Sequence, residues 1–300
     1  MADNNSNSIG VDVVVPAQNW DAVSGLEPAS LWRQFAILSS LPRPSKREDR
    51  VLDYIKKFAE DRNLKWRQDK AGNLVVFKPG GRNADPVIIQ GHVDMVTEKN
   101  ADNANHDFEK DPILLRRVSD GGGQWLKATG TTLGADNGVG VAAALALLDL
   151  DDSEESSDPM PPICALFTVD EETGLTGAMQ MDADALGLTA GVARTMLNLD
   201  TEEWGELYVG CAGGGESTIS IPLRRDDAKR AGPDSSTLAE IRVTGLVGGH
   251  SGINIHEGRA NAVLICAAAA SAAMSAADEA DAKDGGGAGW SWQSAKCLLF

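Results

Sequence analysis

Four separated stretches of the chain each deliver a group that can bind a cation or move a proton. His92 and Asp94 stand in GHVDM, Asp136 in GADNG, Glu171 and Glu172 in DEETG, and Asp200 in NLDTE. An imidazole nitrogen with several carboxylate oxygens and no thiolate suits zinc, with manganese or cobalt as alternatives. Drawing such carboxylates together without a cation would be opposed by mutual repulsion and desolvation, and a bound metal removes that cost.

Asp136 poses the sharpest question. Its glycine-rich turn runs into an apolar helix, GTTLGADNGVGVAAALALL, a setting in which free backbone N–H groups and the helix dipole otherwise welcome a phosphate. The turn lacks the lysine of a phosphate loop and the G-x-G-x-x-G spacing of a dinucleotide site. A lone Asp in such a place most often caps the helix. Set beside the other acids, it reads instead as a carboxylate offered to cations, able to bridge two metals roughly 3.5–4 Å apart. The adjacent glutamates Glu171 and Glu172 can divide the work, one carboxylate binding metal while its neighbour, projecting differently, stays free to take a proton from metal-bound water. Asp94, two residues beyond His92 on an extended chain, points to the same side and holds the imidazole in its metal-binding tautomer.

The elements that must position these residues alternate in type. Two helices are expected over EPASLWRQFAILSSL and SKREDRVLDYIKKFAEDRNL, the second with Val51, Leu52, Ile55 and Phe58 on one face. LKWRQDKAGNLVVFKPG predicts two strands around a turn at Gly72 and Asn73. PVIIQ, ICALFTV and TMLNL read as buried strands, with helices over Gly138 to Leu148 and around TGAMQMDADAL. The fold class is therefore α/β with a mostly parallel sheet. In such sheets reacting groups collect at the carboxyl ends of the strands, and His92, the glutamate pair and Asp200 each follow a strand. Residues 1–27 are expected to be a disordered tail, 28–215 a catalytic domain, and 216–300 a smaller α+β domain of alternating strands (ESTISIPL, STLAEIRVTGL) and an alanine-rich helix.

Composition narrows the classes of partner. The 300 residues carry 44 Asp and Glu against 27 Lys and Arg, a net charge of −17, with no basic patch, so neither nucleic acid nor an anionic membrane is an expected partner. The longest apolar run, from Ala260 to Ala277, is alanine-rich and suits a packed helix better than a lipid-facing one. Cys164, Cys211, Cys266 and Cys297 form no CxxC pair, and MADNNSNSIG is unlike a signal or transit peptide, so a reducing, cytoplasmic setting is expected.

Taken in order, GHVDM, GTTLGADNG, DEETGLTGA, LNLDTEEWGELYVGCAGG and GGHSGINIHEGRANA resemble the aminoacyl-histidine dipeptidases (Xaa-His dipeptidases) of the co-catalytic zinc metallopeptidases, from about Pro28 to Ala262; HDFEKDPI at His106 to Ile113 fits the same group in a structural role. The resemblance implies hydrolysis of dipeptides, Xaa-His or broader, by two zinc ions. It implies His92, Asp136 and Asp200 on one metal, Asp136 and Glu172 on the other, Glu171 as general base, Asp94 orienting His92, and a cis peptide bond after Asp136. It also implies that 216–300 belong to a lid whose His250 stabilises the oxyanion, and a homodimer formed through that lid. His256 is given no such role.

Family members of this kind return to the catalytic domain after the lid and supply a further His to the second metal, whereas this chain ends at Phe300. The resemblance therefore implies a C-terminally shortened member with an impaired second site. A related tripeptidase or deacylase, and a non-catalytic remnant holding one metal or none, are the competing readings.

Overall fold

The chain's computed structural model describes residues 13–150, 159–201, 203, 205–210, 240–248 and 254–284. It divides into two compact units, Met1–Ala212 and Gly213–Phe300. In the first, α1 (Ala17–Val23), α2 (Ala29–Ser39) and α3 (Asp49–Asp61) precede a hairpin of β1 (Lys65–Gln68) and β2 (Leu74–Lys78). Then come β3 (Val87–His92), a second hairpin of β4 (Leu115–Asp120) and β5 (Gly123–Ala128), and α4 (Ala135–Asp149). The unit continues with β6 (Ile163–Thr168), the short helices α5 (Thr176–Met179) and α6 (Ala183–Leu186), and β7 (Thr195–Asn198).

The central sheet has the order β1-β2-β6-β3-β7. Its parallel part is β6-β3-β7, while β1-β2 and β2-β6 pair antiparallel, so the α/β sheet is mixed rather than mostly parallel. The short turn between β1 and β2 makes that pair antiparallel, as in any two-strand hairpin. Register follows the pleat. Leu74, Val76, Ile89, Ala165 and Phe167 face the main core with α2, α3 and α4, while Val75, Cys164, Leu166 and Leu186 form a smaller cluster on the opposite face. β6 lies between β2 and β3 and is buried at every position, which explains its continuous apolar sequence. α4 packs against both α2 and β3. On α3, Val51, Leu52, Tyr54, Ile55, Phe58 and Ala59 are buried, the spacing of one helical face.

Other differences from expectation lie along the first unit. The tail expectation fails over 17–23: α1 is held by Asn19, fully buried, whose Nδ2 donates to Ser40 Oγ (3.1 Å) and Ile113 O (3.0 Å) while Oδ1 accepts from Leu115 N (2.9 Å). The helix expected around TGAMQMDADAL is two short ones, because Asp182 breaks it by capping α6, accepting from Ala185 N at 2.9 Å. The β4–β5 hairpin lies in a stretch without a strand signal and pairs antiparallel from Leu115↔Ala128 to Asp120↔Gly123.

In the second unit the described residues include a single 3₁₀ turn, Ile255–Glu257, and α7 (Ala262–Asp284). ESTISIPL lies outside the described residues, and the described part of STLAEIRVTGL, from 240, carries no strand. Cys164 and Cys266 are free thiols, and Cys211 and Cys297 lie outside the described residues. Among the described residues no helix is long and apolar enough to cross a membrane.

Candidate metal centre

The parallel register brings the candidate residues to one rim. His92 closes β3 opposite Thr168, the last residue of β6, and Glu171 and Glu172 follow that strand after Val169 and Asp170. Gln90 pairs with Asn198 of β7, so Asp200 emerges beside the same end. Asp136 arrives from α4, where Gly134 at φ +68° turns the chain and the Asp136–Asn137 peptide bond is cis.

At the centre is the His92 imidazole, 1% exposed. Its Nε2 lies 2.8 Å from Asp136 Oδ1, 3.7 Å from Asp200 Oδ1 and 3.9 Å from Glu171 Oε2. Two sets of ligand atoms fall within 4.8 Å of one another: those of His92, Asp136 and Asp200, and those of His92, Glu171 and Glu172. On the other side of the ring, Nδ1 meets Asp94 Oδ1 at 3.2 Å. Asp94 is itself saturated, since it accepts from Ser45 Oγ at 2.8 Å, Glu171 N at 3.0 Å and Glu172 N at 3.2 Å. His250 lies outside the described residues, and His256 sits in the 3₁₀ turn of the second unit, exposed.

Electrostatics at the rim follow from crowding. Burial and the neighbouring Asp136 and Glu171 carboxylates push Glu172 up to about 7, against the opposing pull of His92. Burial, then the shared hydrogen bond and charge of Asp136, push Asp200 up to about 6. Burial disfavours the His92 imidazolium, but hydrogen bonds to Asp136 and Asp94 and the charge of Asp200 outweigh it and raise the ring to about 10. Asp94 moves the other way: burial opposes its ionisation, yet the His92, Glu171 and Ser45 hydrogen bonds bring it down to about 2. One group oriented by a carboxylate and several acids reluctant to ionise beside it make a donor set that fits a divalent cation. Such an ion would let every carboxylate ionise at once.

Several further residues serve the rim. Asn137, immediately after Asp136, donates from Nδ2 to Leu199 O (2.6 Å) and Asp200 Oδ1 (2.9 Å), and Gly91 and Gly140 leave it the space a Cβ would fill. Ser45 and Glu48, from the connection between α2 and α3, reach Asp94 and the backbone of Asp170. Arg43, in the same connection, is buried; desolvation lowers its guanidinium to about 10 against the charges of Asp94, Glu172 and Asp136. Only Asn137 had a cue, its place in the Asp-Asn-Gly run of a tight turn.

An α/β sheet with an imidazole and acids gathered at the carboxyl ends of its parallel strands defines the catalytic unit of a zinc-exopeptidase-type fold. The sequence model of peptidase family M28 matches residues 73–234, more than half the chain, and the chain belongs to that family. It is 40% identical over 243 residues to the cytosol non-specific dipeptidase of Escherichia coli (strain K12), covering 80% of this chain and 46% of that protein. It also resembles the crystal structure of aminoacylhistidine dipeptidase from Vibrio alginolyticus, with a TM-score of 0.55 and 37% identity over 80% of this chain and 46% of that one. These matches agree with the resemblance drawn from the motifs. The chain spans about half the length of both relatives.

Proposed function

We propose that this chain belongs to a metal-dependent dipeptidase, acting on Xaa-His or a broader range of dipeptides, with a site built from His92, Asp94, Asp136, Glu171, Glu172 and Asp200. The observation that carries the reading is the approach of Asp136, Asp200 and Glu171, from three different segments, to within 3.9 Å of one buried imidazole nitrogen. Its kinship with a dipeptidase at 40% identity supports the substrate class.

In this reading His92, Asp136 and Asp200 would hold one zinc ion, and Asp136 with Glu172 a second; manganese or cobalt would suit the same donors. A zinc ion held by these residues would supply Lewis acidity for the scissile carbonyl and for a bound water. Asp94 keeps the proton of His92 on Nδ1, which leaves Nε2 as a lone-pair donor. Asn137 fixes Asp200 by its 2.9 Å hydrogen bond. Glu171, whose backbone N–H is anchored on Asp94, takes a proton from the attacking water and returns it to the leaving amine. In the same proposal the first unit is the catalytic domain, residues 216–300 belong to a second domain with His250 given an oxyanion-stabilising role by the family resemblance, and the protein is a cytoplasmic homodimer. The experiment is Xaa-His dipeptide hydrolysis by the purified, zinc-loaded protein together with metal counting. Two zinc equivalents with turnover support the dipeptidase; no more than one equivalent and no turnover overturn it in favour of a non-catalytic metal binder.

A further inference from the structure

One buried cation touches two of the segments that carry the proposed ligands. Arg43, in the connection between α2 and α3, is 2% exposed. Its Nη1 donates to the carbonyls of Val93 and Asp94, both at 3.0 Å, and its Nη2 to the carbonyl of Gly134 at 2.6 Å. Val93 and Asp94 follow His92 directly, and Gly134 opens the turn that presents Asp136. A guanidinium is a rigid planar fork, so the two arms fix the separation between the two segments as well as satisfying their carbonyls.

The surroundings are shaped to this group. A Cβ on Gly134 would come 2.5 Å from Nη2 and one on Gly138 2.7 Å from it, so both glycines leave the volume that the fork occupies. The same connection extends the hold to the glutamate segment: Ser45 Oγ donates to Asp94 Oδ2 at 2.8 Å, and Glu48 Oε1 accepts from Asp170 N at 3.0 Å. Every segment tied down here carries a proposed ligand or base, and Arg43 is the member that spans two of them with one side chain.

We infer that Arg43 is a positioning residue of the metal centre, its guanidinium setting the spacing between His92 and Asp136 and thereby the affinity for the cation, an inference that rests on the metal-site reading above. Lysine keeps the charge but, as a compact ammonium, cannot hold three carbonyls in a planar fork. Changes in such supporting partners typically weaken metal binding by about 10–100-fold.

The test measures zinc dissociation constants by competition with a chromophoric chelator, and melting temperatures with and without zinc, for the parent chain, Arg43→Lys and Gly138→Ala. The expected result is a dissociation constant at least about tenfold higher in Arg43→Lys, with a smaller zinc-induced rise in melting temperature. Gly138→Ala keeps the arginine, favours the helix and presses a methyl against the guanidinium, so weaker zinc binding is expected there as well. A folded Arg43→Lys that melts lower without zinc yet binds zinc like the parent overturns the inference and leaves Arg43 a stability residue. Should Arg43→Lys not fold, Gly138→Ala decides alone, and parent-like affinity in it overturns the inference. A parent chain that takes up no zinc overturns the metal reading and this inference together, whereas a parent that binds and variants that match it overturn only the role of Arg43.

Discussion

Asp94 holds His92 by a 3.2 Å contact to Nδ1 while the same carboxylate accepts the backbone N–H groups of both Glu171 and Glu172. One side chain thus fixes the imidazole and the two glutamates against each other, and its low pKa, about 2, records how strongly those donors favour the charged form. Orientation of the proposed ligand and placement of the proposed base therefore rest on one side chain.

Asp94→Asn therefore disturbs both. The amide keeps the shape but turns one acceptor into a donor, so either the His92 and Glu171 contacts or the Ser45 and Glu172 contacts face N–H against a donor. The expected outcome is a loss of dipeptide turnover of about 10–100-fold together with weaker zinc binding. Steady-state kinetics and chelator competition on the same preparation check it, and parent-like values in both would remove Asp94 from the mechanism.

Glu171→Gln separates base from ligand. The amide cannot accept a proton from water, while His92, Asp136 and Asp200 are untouched. Turnover should fall by at least about 10²-fold, with zinc content measured by atomic absorption unchanged. A variant near the parent rate would assign the proton transfer elsewhere.

How much of this was legible in the sequence follows from where the information is stored. The face of α3 reads from Val51, Leu52, Ile55 and Phe58 because a helix repeats its exposure every turn, and β6 from its unbroken apolar run because it is buried on both sides. The rim reads from residues at or just beyond strand ends, since parallel strands present their carboxyl ends at the same edge of the sheet. Other features depend on contacts far along the chain. Asn19 makes α1 part of the core through partners 21 and 94 to 96 residues away, and nothing local marks it. Arg43 hides between prolines in a connection that looks like any polar loop, because its three carbonyl partners have no side-chain signature. The β4–β5 hairpin escaped since Arg116, Arg117 and Trp125 are exposed and leave no clean alternation.

The protonation of the rim gives zinc binding a definite pH dependence. His92 is raised to about 10, Glu172 to about 7 and Asp200 to about 6, so each holds its proton at a higher pH than it ordinarily would. Each must release that proton to bind zinc, so protons compete with the metal and affinity rises with pH. Between pH 6 and 8 the Asp200 and Glu172 protons are lost in turn and their competition fades, while that of His92 persists up to about 10. Titration calorimetry in buffers of different ionisation enthalpy should find net proton release at pH 6 to 7 that shrinks by pH 8. Affinity that is flat, or falls, over this range would contradict the protonation scheme.

Asp136 is the candidate that the two cations share, so it makes a prediction about stoichiometry rather than rate. Asp136→Ala removes a carboxylate from both proposed ion sites, and with it the 2.8 Å partner of His92 Nε2. Zinc should be lost from the whole centre, and counting should show that no site survives at the parent's affinity; retention of one equivalent at parent affinity would mean that Asp136 serves a single ion.

The fold carries its own prediction at Asn19. Asn19→Ala deletes an amide that serves Ser40 Oγ, the Ile113 carbonyl and the Leu115 N–H, and it leaves the last two buried without their partner. Buried polar groups left in this way cost about 1–3 kcal/mol each, so a total loss of about 2–4 kcal/mol is expected after partial relaxation. Because α1 docks through this side chain on the segment that leads into β4, the loss should appear first as faster hydrogen exchange at Leu115 and along α1, before the central sheet opens. Urea unfolding followed by far-ultraviolet circular dichroism measures the total. A loss below about 0.5 kcal/mol, the range of an ordinary surface change, would mean that α1 is not held by this residue.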